Sequence, residues 1–227
     1  MRILARIAIM LLVLVVCRAA EVSGFRVTKT YSIPGEGGFD HIVFDPSANR
    51  LYVSHGTLVN VVDAQTGKHL GNVEGTPEVH GIAIVPALHR GFTSNEGDST
   101  VSVFDTVTLK TIKKISVAKQ PDFIFYDLFT KRVLVCHEDG QAITAIDPER
   151  TEIVGKVDLG SEAEAAVVWS KELGFVNLEK VSMVASFDPQ RLVLKQRWPI
   201  PGCTAPVPLA VDSLTSRLFA GGGVHNG

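Results

Sequence analysis

Four aspartates, Asp63, Asp105, Asp147 and Asp188, stand 42, 42 and 41 residues apart, and each closes a similar stretch of chain. The clearest copy, residues 91–105, reads GFTSNEGDSTVSVFD: a short strand around Phe92, turn chemistry at Gly97-Asp98, then the alternating Val101-Ser102-Val103-Phe104 before the closing Asp. Residues 51–63, 133–147 and 174–188 repeat it. A period this regular implies one supersecondary unit stacked on copies of itself, because a unit this short cannot bury its apolar face alone.

Each unit resolves into four strands. In the first they fall at residues 41–44, 50–55, 58–63 and 68–73, with turns at Asp45-Pro46-Ser47, His55-Gly56 and residues 63–67. Four short antiparallel strands in about 42 residues is the size of a β-propeller blade. The third strands are apolar at alternate positions (Val59/Val61, Val101/Val103, Ile143/Ala145) and again just before the Asp (Val62, Phe104, Ile146, Phe187). That pattern suits sheets buried on both faces. A parallel solenoid, the structural rival, has shorter coils. The closing aspartates suit turns in which the carboxylate accepts nearby backbone N–H groups.

Residues 25–33 (FRVTKTYSI) also alternate. Ile33 lies seven residues before Asp40, as Val73 does before His80, Ile115 before Asp122, Val157 before Glu164 and Ile200 before Val207. The spacing predicts that 25–33 is the last strand of a unit whose other strands are not adjacent in sequence.

The Arg50-Leu51-Tyr52-Val53-Ser54 run, the GFTSN…VSVFD unit and the Asp-x-x-Thr-x-Lys turns at residues 63–68 and 105–110 resemble the YVTN-repeat β-propellers of YncE type over residues 25–227. The resemblance implies an all-β propeller with seven blades, of which about four and a half are present here. The fourth unit diverges, with Trp169-Ser170 where Asp45-Pro46 stands in the first. An incomplete ring would expose an apolar face at each end; about 500 Å² left uncovered at roughly 25 cal/mol per Å² forfeits on the order of 12 kcal/mol. The 227-residue chain is therefore expected to be a truncated form, unstable or aggregation-prone alone.

Residues 1–19 form a separate segment, with Arg2 and Arg6 before the apolar run 7–16 and Cys17-Arg18-Ala19 at the end. They read as a signal peptide, which predicts a periplasmic or secreted protein, residues 20–227 being a single incomplete propeller domain. A retained anchor is the alternative, although the run is shorter than the roughly 20 residues a span needs. After cleavage 19 basic residues would face 24 acidic ones, so the chain carries no general footprint for nucleic acid. Export permits disulfides, but Cys136 and Cys203 occupy different points of the repeat and are expected to stay unpaired.

No Ser nucleophile elbow, His-Glu-x-x-His, Cys-x-x-Cys or phosphate loop occurs, and Gly221-Gly222-Gly223 reads as a turn. Aligning the repeats places Asp40, His80, Asp122 and Glu164 at one position, just before each innermost strand, where a propeller rings its channel mouth. A second register, at the end of the second strands, holds His55, Asn95 and His137, then Leu178 and Gly222. Converging carboxylates and imidazoles could bind a divalent cation or a polar ligand. The same residues could instead brace their own blades by tying backbone N–H groups. Two function classes follow: a binding or scaffold module presenting this face to a small ligand or protein, or an enzyme or redox-enzyme subunit, since propellers resembling this one serve quinoprotein dehydrogenases and some lactonases. No cofactor is named by the sequence.

Overall fold

The computed structural model describes Gly24 and residues 26–223; the signal-peptide segment 1–19 lies outside the described residues. Two units are distinguished, Met1–Ser32 and Ile33–Gly227. In the first, the described residues form no strand, and Val27 is 85% exposed. This corrects the expectation for 25–33: alternation gives a strand only where a neighbour takes up the backbone N–H and C=O groups.

The second unit is all β. Its first sheet comprises β1 (Phe39–Asp45), β2 (Arg50–His55), β3 (Leu58–Asp63) and β4 (His69–Val73). The second has β5 (Val79–Val85), β6 (Arg90–Asn95), β7 (Thr100–Asp105) and β8 (Thr111–Ser116); the third has β9 (Pro121–Asp127), β10 (Arg132–His137), β11 (Ala142–Asp147) and β12 (Glu152–Asp158). The fourth has β13 (Ala166–Ser170), β14 (Leu173–Leu178), β15 (Met183–Asp188) and β16 (Val193–Pro199), and a two-stranded fifth has β17 (Thr204–Asp212) and β18 (Arg217–Gly223). All are antiparallel in sequence order. First strands lie side by side, β1 on β5 and β5 on β9.

The core consists of layers between successive sheets. Tyr52, Val59 and Val61 meet Ile82 and Phe104 between the first two. Phe92, Val101 and Val103 meet Ile124, Val133 and Val135 between the second and third. Leu134, Ile143 and Val157 meet Val176, Ala185 and Phe187 between the third and fourth. Volumes are balanced across strands: Leu51 faces Val62 and Val133 faces Ile146, whereas Gly91 faces Phe104 and Gly174 faces Phe187.

Polar clasps join the sheets at their outer turns. The first residue of the second strand is Arg in the first three sheets, and each of these guanidiniums donates to carbonyls just after the closing Asp of the next sheet. Arg50 reaches Thr106 O; Arg90 reaches Pro148 O (2.6 Å) and Glu149 O (2.5 Å); Arg132 reaches Pro189 O (2.9 Å) and Gln190 O (3.0 Å). In the fourth sheet this position is Leu173.

The closing aspartates form the turns expected of them. One carboxylate oxygen of Asp63, Asp105, Asp147 and Asp188 accepts the N–H groups two and three residues on, at 2.6–3.1 Å. Hydrogen bonds from Thr66 to Asp63, from Thr108 to Asp105 and from Arg150 to Asp147 hold these three carboxyls below their ordinary range. A depressed folded pKa contributes stability above the ordinary value of about 4, and that contribution is lost as pH falls through the folded values. Thermal melts from about pH 5 to about pH 2 should show this acid limb, and Asp63→Asn, Asp105→Asn and Asp147→Asn together should flatten it, because Asn keeps the acceptor without the titration. An unchanged acid limb would count against these turns as its source.

Candidate functional site: an acid and histidine cluster

Each of the first three sheets carries the same irregularity where its first strand meets its second. Asp40 and His41 together oppose Ser54, His80 and Gly81 oppose Ser94, and Asp122 and Phe123 oppose Cys136. Two residues against one is a β-bulge, which turns a side chain out of the regular alternation. Serine hydroxyls secure two of the bulges: Ser54 Oγ accepts from His41 N (2.7 Å), and Ser94 Oγ accepts from Gly81 N (2.8 Å) and donates to Asp122 O in the next sheet. Asp40, His80 and Asp122 thus lie inside their strands, at bulges, rather than before them. Glu164 alone precedes its strand, with its N–H bonded to Asn177 O.

The bulges bring residues of three sheets together. His80 Nδ1 lies 2.7 Å from Asp40 Oδ2 and 3.5 Å from Asp122 Oδ1, and His80 Nε2 lies 2.9 Å from Glu96 Oε2. Gln120 Nε2 donates to the other Glu96 oxygen (2.9 Å). One ligand atom from each of Asp40, His80 and Asp122 falls within a 4.8 Å span, and so does one from each of Asp122, Glu138 and Glu164. Asp122 belongs to both sets. All four residues of the first register therefore meet in one chain of contacts, which Glu179 extends beyond Glu164.

The second register is placed differently. His55 pairs with Asn60 Oδ1 (3.0 Å) and Gly37 O (3.2 Å) and stacks on Phe39. Asn95 donates to Thr100 and Ser102 and accepts from Thr93. His137 pairs with Thr144 Oγ1 (2.9 Å), and burial lowers its pKa to about 4, so it is neutral. These three side chains engage their own sheets and their adjoining loops.

Charge accumulates in the cluster. Burial lowers the His80 pKa, but the Asp40 hydrogen bond, the Asp122 charge and the Glu96 hydrogen bond outweigh it, so the net shift is upward. Hydrogen bonds from Gln120 and His80 hold Glu96 down. Burial raises Asp122 against the pull of His80 and His41, and burial with the charges of Asp122 and Glu96 raises Glu138. Glu164 is pushed up to about 8 by burial, then by the shared hydrogen bond with Glu179 and the charge of Asp122.

No family model and no curated protein matches the chain. Among solved structures, Hydrazine Synthase from Kuenenia stuttgartiensis is similar, with a TM-score of 0.72 and 21% identity over 82% of this chain and 56% of that one. The fold is β-propeller-like. The chain spans little more than half the length of that protein, and likeness at this identity speaks to architecture.

Three cluster members escape the two registers: Glu96, Glu138 and Glu179. Each follows the last residue of a second strand, one position after Asn95, His137 and Leu178. Strand side chains alternate, so the last strand residue turns into its own sheet while the next, opening the turn, reaches the cluster. Their signal is present in the sequence, because these glutamates recur at 42 and 41 residues, the period of the closing aspartates. The first sheet has Gly56 at this position.

Proposed function

We propose that this protein is a binding module on a seven-bladed propeller of YVTN-repeat, YncE-like type, exported to the periplasm or cell exterior, and that its acid and histidine cluster takes a cationic ligand. The observation that carries the reading is the meeting of Asp40, His80 and Asp122 from three different sheets with ligand atoms within 4.8 Å. The repeat carries these equivalent positions to one place, and there they hold carboxyl and imidazole groups whose ligand atoms are close enough to share one cation. Six carboxyl groups, those of Asp40, Glu96, Asp122, Glu138, Glu164 and Glu179, surround His80 and its neighbours, which favours cations and disfavours phosphate backbones. Ring closure through further blades is supported by the first sheet: Ile42 is 63% exposed, while Ile82 and Ile124 at the same register are 3% and 2% exposed against a preceding sheet.

The enzyme-subunit reading draws on the likeness to Hydrazine Synthase, which at 21% identity speaks to architecture. The binding reading is tested by calorimetry with zinc, whose preference for nitrogen and oxygen donors suits the Asp40–His80–Asp122 set. The wild type is expected to bind, and His80→Ala and Asp40→Asn to weaken binding by about tenfold or more. Wild-type protein giving no heat, or a His80→Ala variant binding as well as wild type, would refute it.

A further inference from the structure

At the end of the third sheet opposite the cluster, where β9 turns into β10 and β11 into β12, a cavity of about 650 Å³ opens against the second sheet. Val85, Leu88, Tyr126 and Val154 give it apolar surface, and Lys131 and Arg150 line it with cations. Its three polar side chains depart from the repeat. Tyr126 stands where the first two sheets have Phe44 and Ile84, Lys131 where they have Asn49 and His89, and Arg150 where they have Thr66 and Thr108. The backbone does not call for the changes. Lys131 has φ of 59° where Asn49 has 52° and His89 has 49°, a left-handed conformation that suits asparagine better than lysine. The hydroxyls of Thr66 and Thr108 donate to their closing aspartates (2.7 and 3.0 Å). Arg150 makes the same contact through Nε alone, 2.9 Å from Asp147 Oδ2, which leaves its terminal nitrogens for another acceptor. Among the described residues these nitrogens, the Lys131 ammonium and the Tyr126 hydroxyl have no hydrogen-bond or ion-pair partner. Arg132 and Asp147 also line the cavity, but both are engaged: Arg132 donates to Pro189 O and Gln190 O, and the Asp147 carboxyl accepts from Glu149 N and Arg150 N. Two available cations therefore face one carboxylate, that of Glu149.

We infer that this cavity is a second binding site, for a small aromatic or similarly apolar monocarboxylate, with Arg150 and Lys131 taking the carboxylate, Tyr126 donating to it, and Val85, Leu88 and Val154 covering the apolar body. The inference goes beyond the cation-binding reading and stands independently of it. The size fits: sites for small organic ligands run from about 300 to about 1,000 Å³ and combine mostly apolar walls with a few placed polar groups. The charge fits as well, since one excess positive charge suits a monoanion, whereas inorganic phosphate carries more charge near neutrality and would leave the apolar walls wet. A guanidinium with its terminal nitrogens available presents the paired N–H groups that match a planar carboxylate. The three departures from the repeat thus meet in one cavity and supply, between them, an anion's donors and part of its apolar wall.

The test is titration of the whole chain with benzoate, followed by calorimetry and by protein NMR shifts, beside benzyl alcohol, which lacks the charge, and inorganic phosphate, which lacks the apolar body. The variants are Lys131→Asn, Arg150→Thr and the two combined. Each restores a residue that the repeat carries at the same position in the first sheet, so the turns keep their chemistry, and thermal melts establish that the variants are folded. Wild type should bind benzoate at least tenfold more tightly than benzyl alcohol or phosphate. Each single variant should weaken benzoate by about tenfold, the loss expected for one hydrogen bond to a charged group, and the double variant should bring it to the level of benzyl alcohol. Shifts on adding benzoate should fall on amides of residues 126–132 and 147–154. Wild type that does not bind benzoate, benzyl alcohol or phosphate binding as tightly as benzoate, or a double variant that binds benzoate as well as wild type would each overturn the inference.

Discussion

Replacing Gly91 by valine is expected to destabilise the protein by about 3 kcal/mol, the upper part of the range for overpacking a filled core. A Cβ built at Gly91 falls 2.0 Å from the ring of Phe104, its partner across β6 and β7. The ring cannot retreat, because it is fully buried and packs on Tyr52 of the first sheet, with ring centroids 5.9 Å apart. Phe104→Val alone should also destabilise, by about 1–3 kcal/mol, through the cavity it leaves. Together the two changes recreate the small-with-medium pairing of Leu51 with Val62, so the double variant should be more stable than Gly91→Val alone. Chemical denaturation of all four proteins gives the coupling energy directly. Strictly additive losses would mean that the glycine and the ring do not share one space.

The second large effect is on the pH dependence of stability above neutrality's acid side. Glu164 titrates near 8 in the folded protein against an ordinary value of 4.5. Such a group stabilises fully below its unfolded value, and the contribution disappears as pH rises through the folded one. The upward shift of His80 acts in the same direction. The groups facing Glu164 are Glu179, Asp122 and Glu138, all acidic, so nothing at hand offsets the charge when it appears. Stability in the absence of divalent ions should therefore fall between about pH 5 and pH 8, by on the order of 3 kcal/mol after discounting for nearby solvent and the proton shared with Glu179. Glu164→Gln should remove most of that slope. Denaturation at a series of pH values in chelator measures it, and an unaltered slope in the variant would show that the titration lies elsewhere. With the acid limb set by the turn aspartates, the stability optimum should lie on the acid side of neutrality.

Much of the architecture is legible in the sequence because the repeat carries it. The strands expected at 50–55 and 58–63 coincide with β2 and β3, and those expected at 41–44 and 68–73 differ from β1 and β4 only at their ends. Local alternation failed at 25–33, where strand formation depends on a neighbour that alternation cannot report. The cluster was half legible. Alignment brought Asp40, His80, Asp122 and Glu164 to one position, but the bulges that aim the first three depend on the pairing of β1 with β2, β5 with β6 and β9 with β10, which no single strand encodes. Glu96, Glu138 and Glu179 fall outside both registers because each opens a turn, one residue beyond the end of its strand.

The clasps have a consequence for how the molecule opens. Arg50, Arg90 and Arg132 tie three successive joints, whereas Leu173 leaves the joint between the fourth and fifth sheets without one. That joint also retains a groove of about 540 Å³ along Phe175, Trp198, Leu218 and Phe219. Asn177, which donates to Val207 O and Pro208 O, is its main polar tie, and its own Oδ1 has no partner. In a stack where each sheet leans on its neighbours, the weakest joint sets where local unfolding begins. Amide hydrogens of β17 and β18 should exchange as an early, separate group, while those of β6, β7, β10 and β11 wait for the whole stack to open.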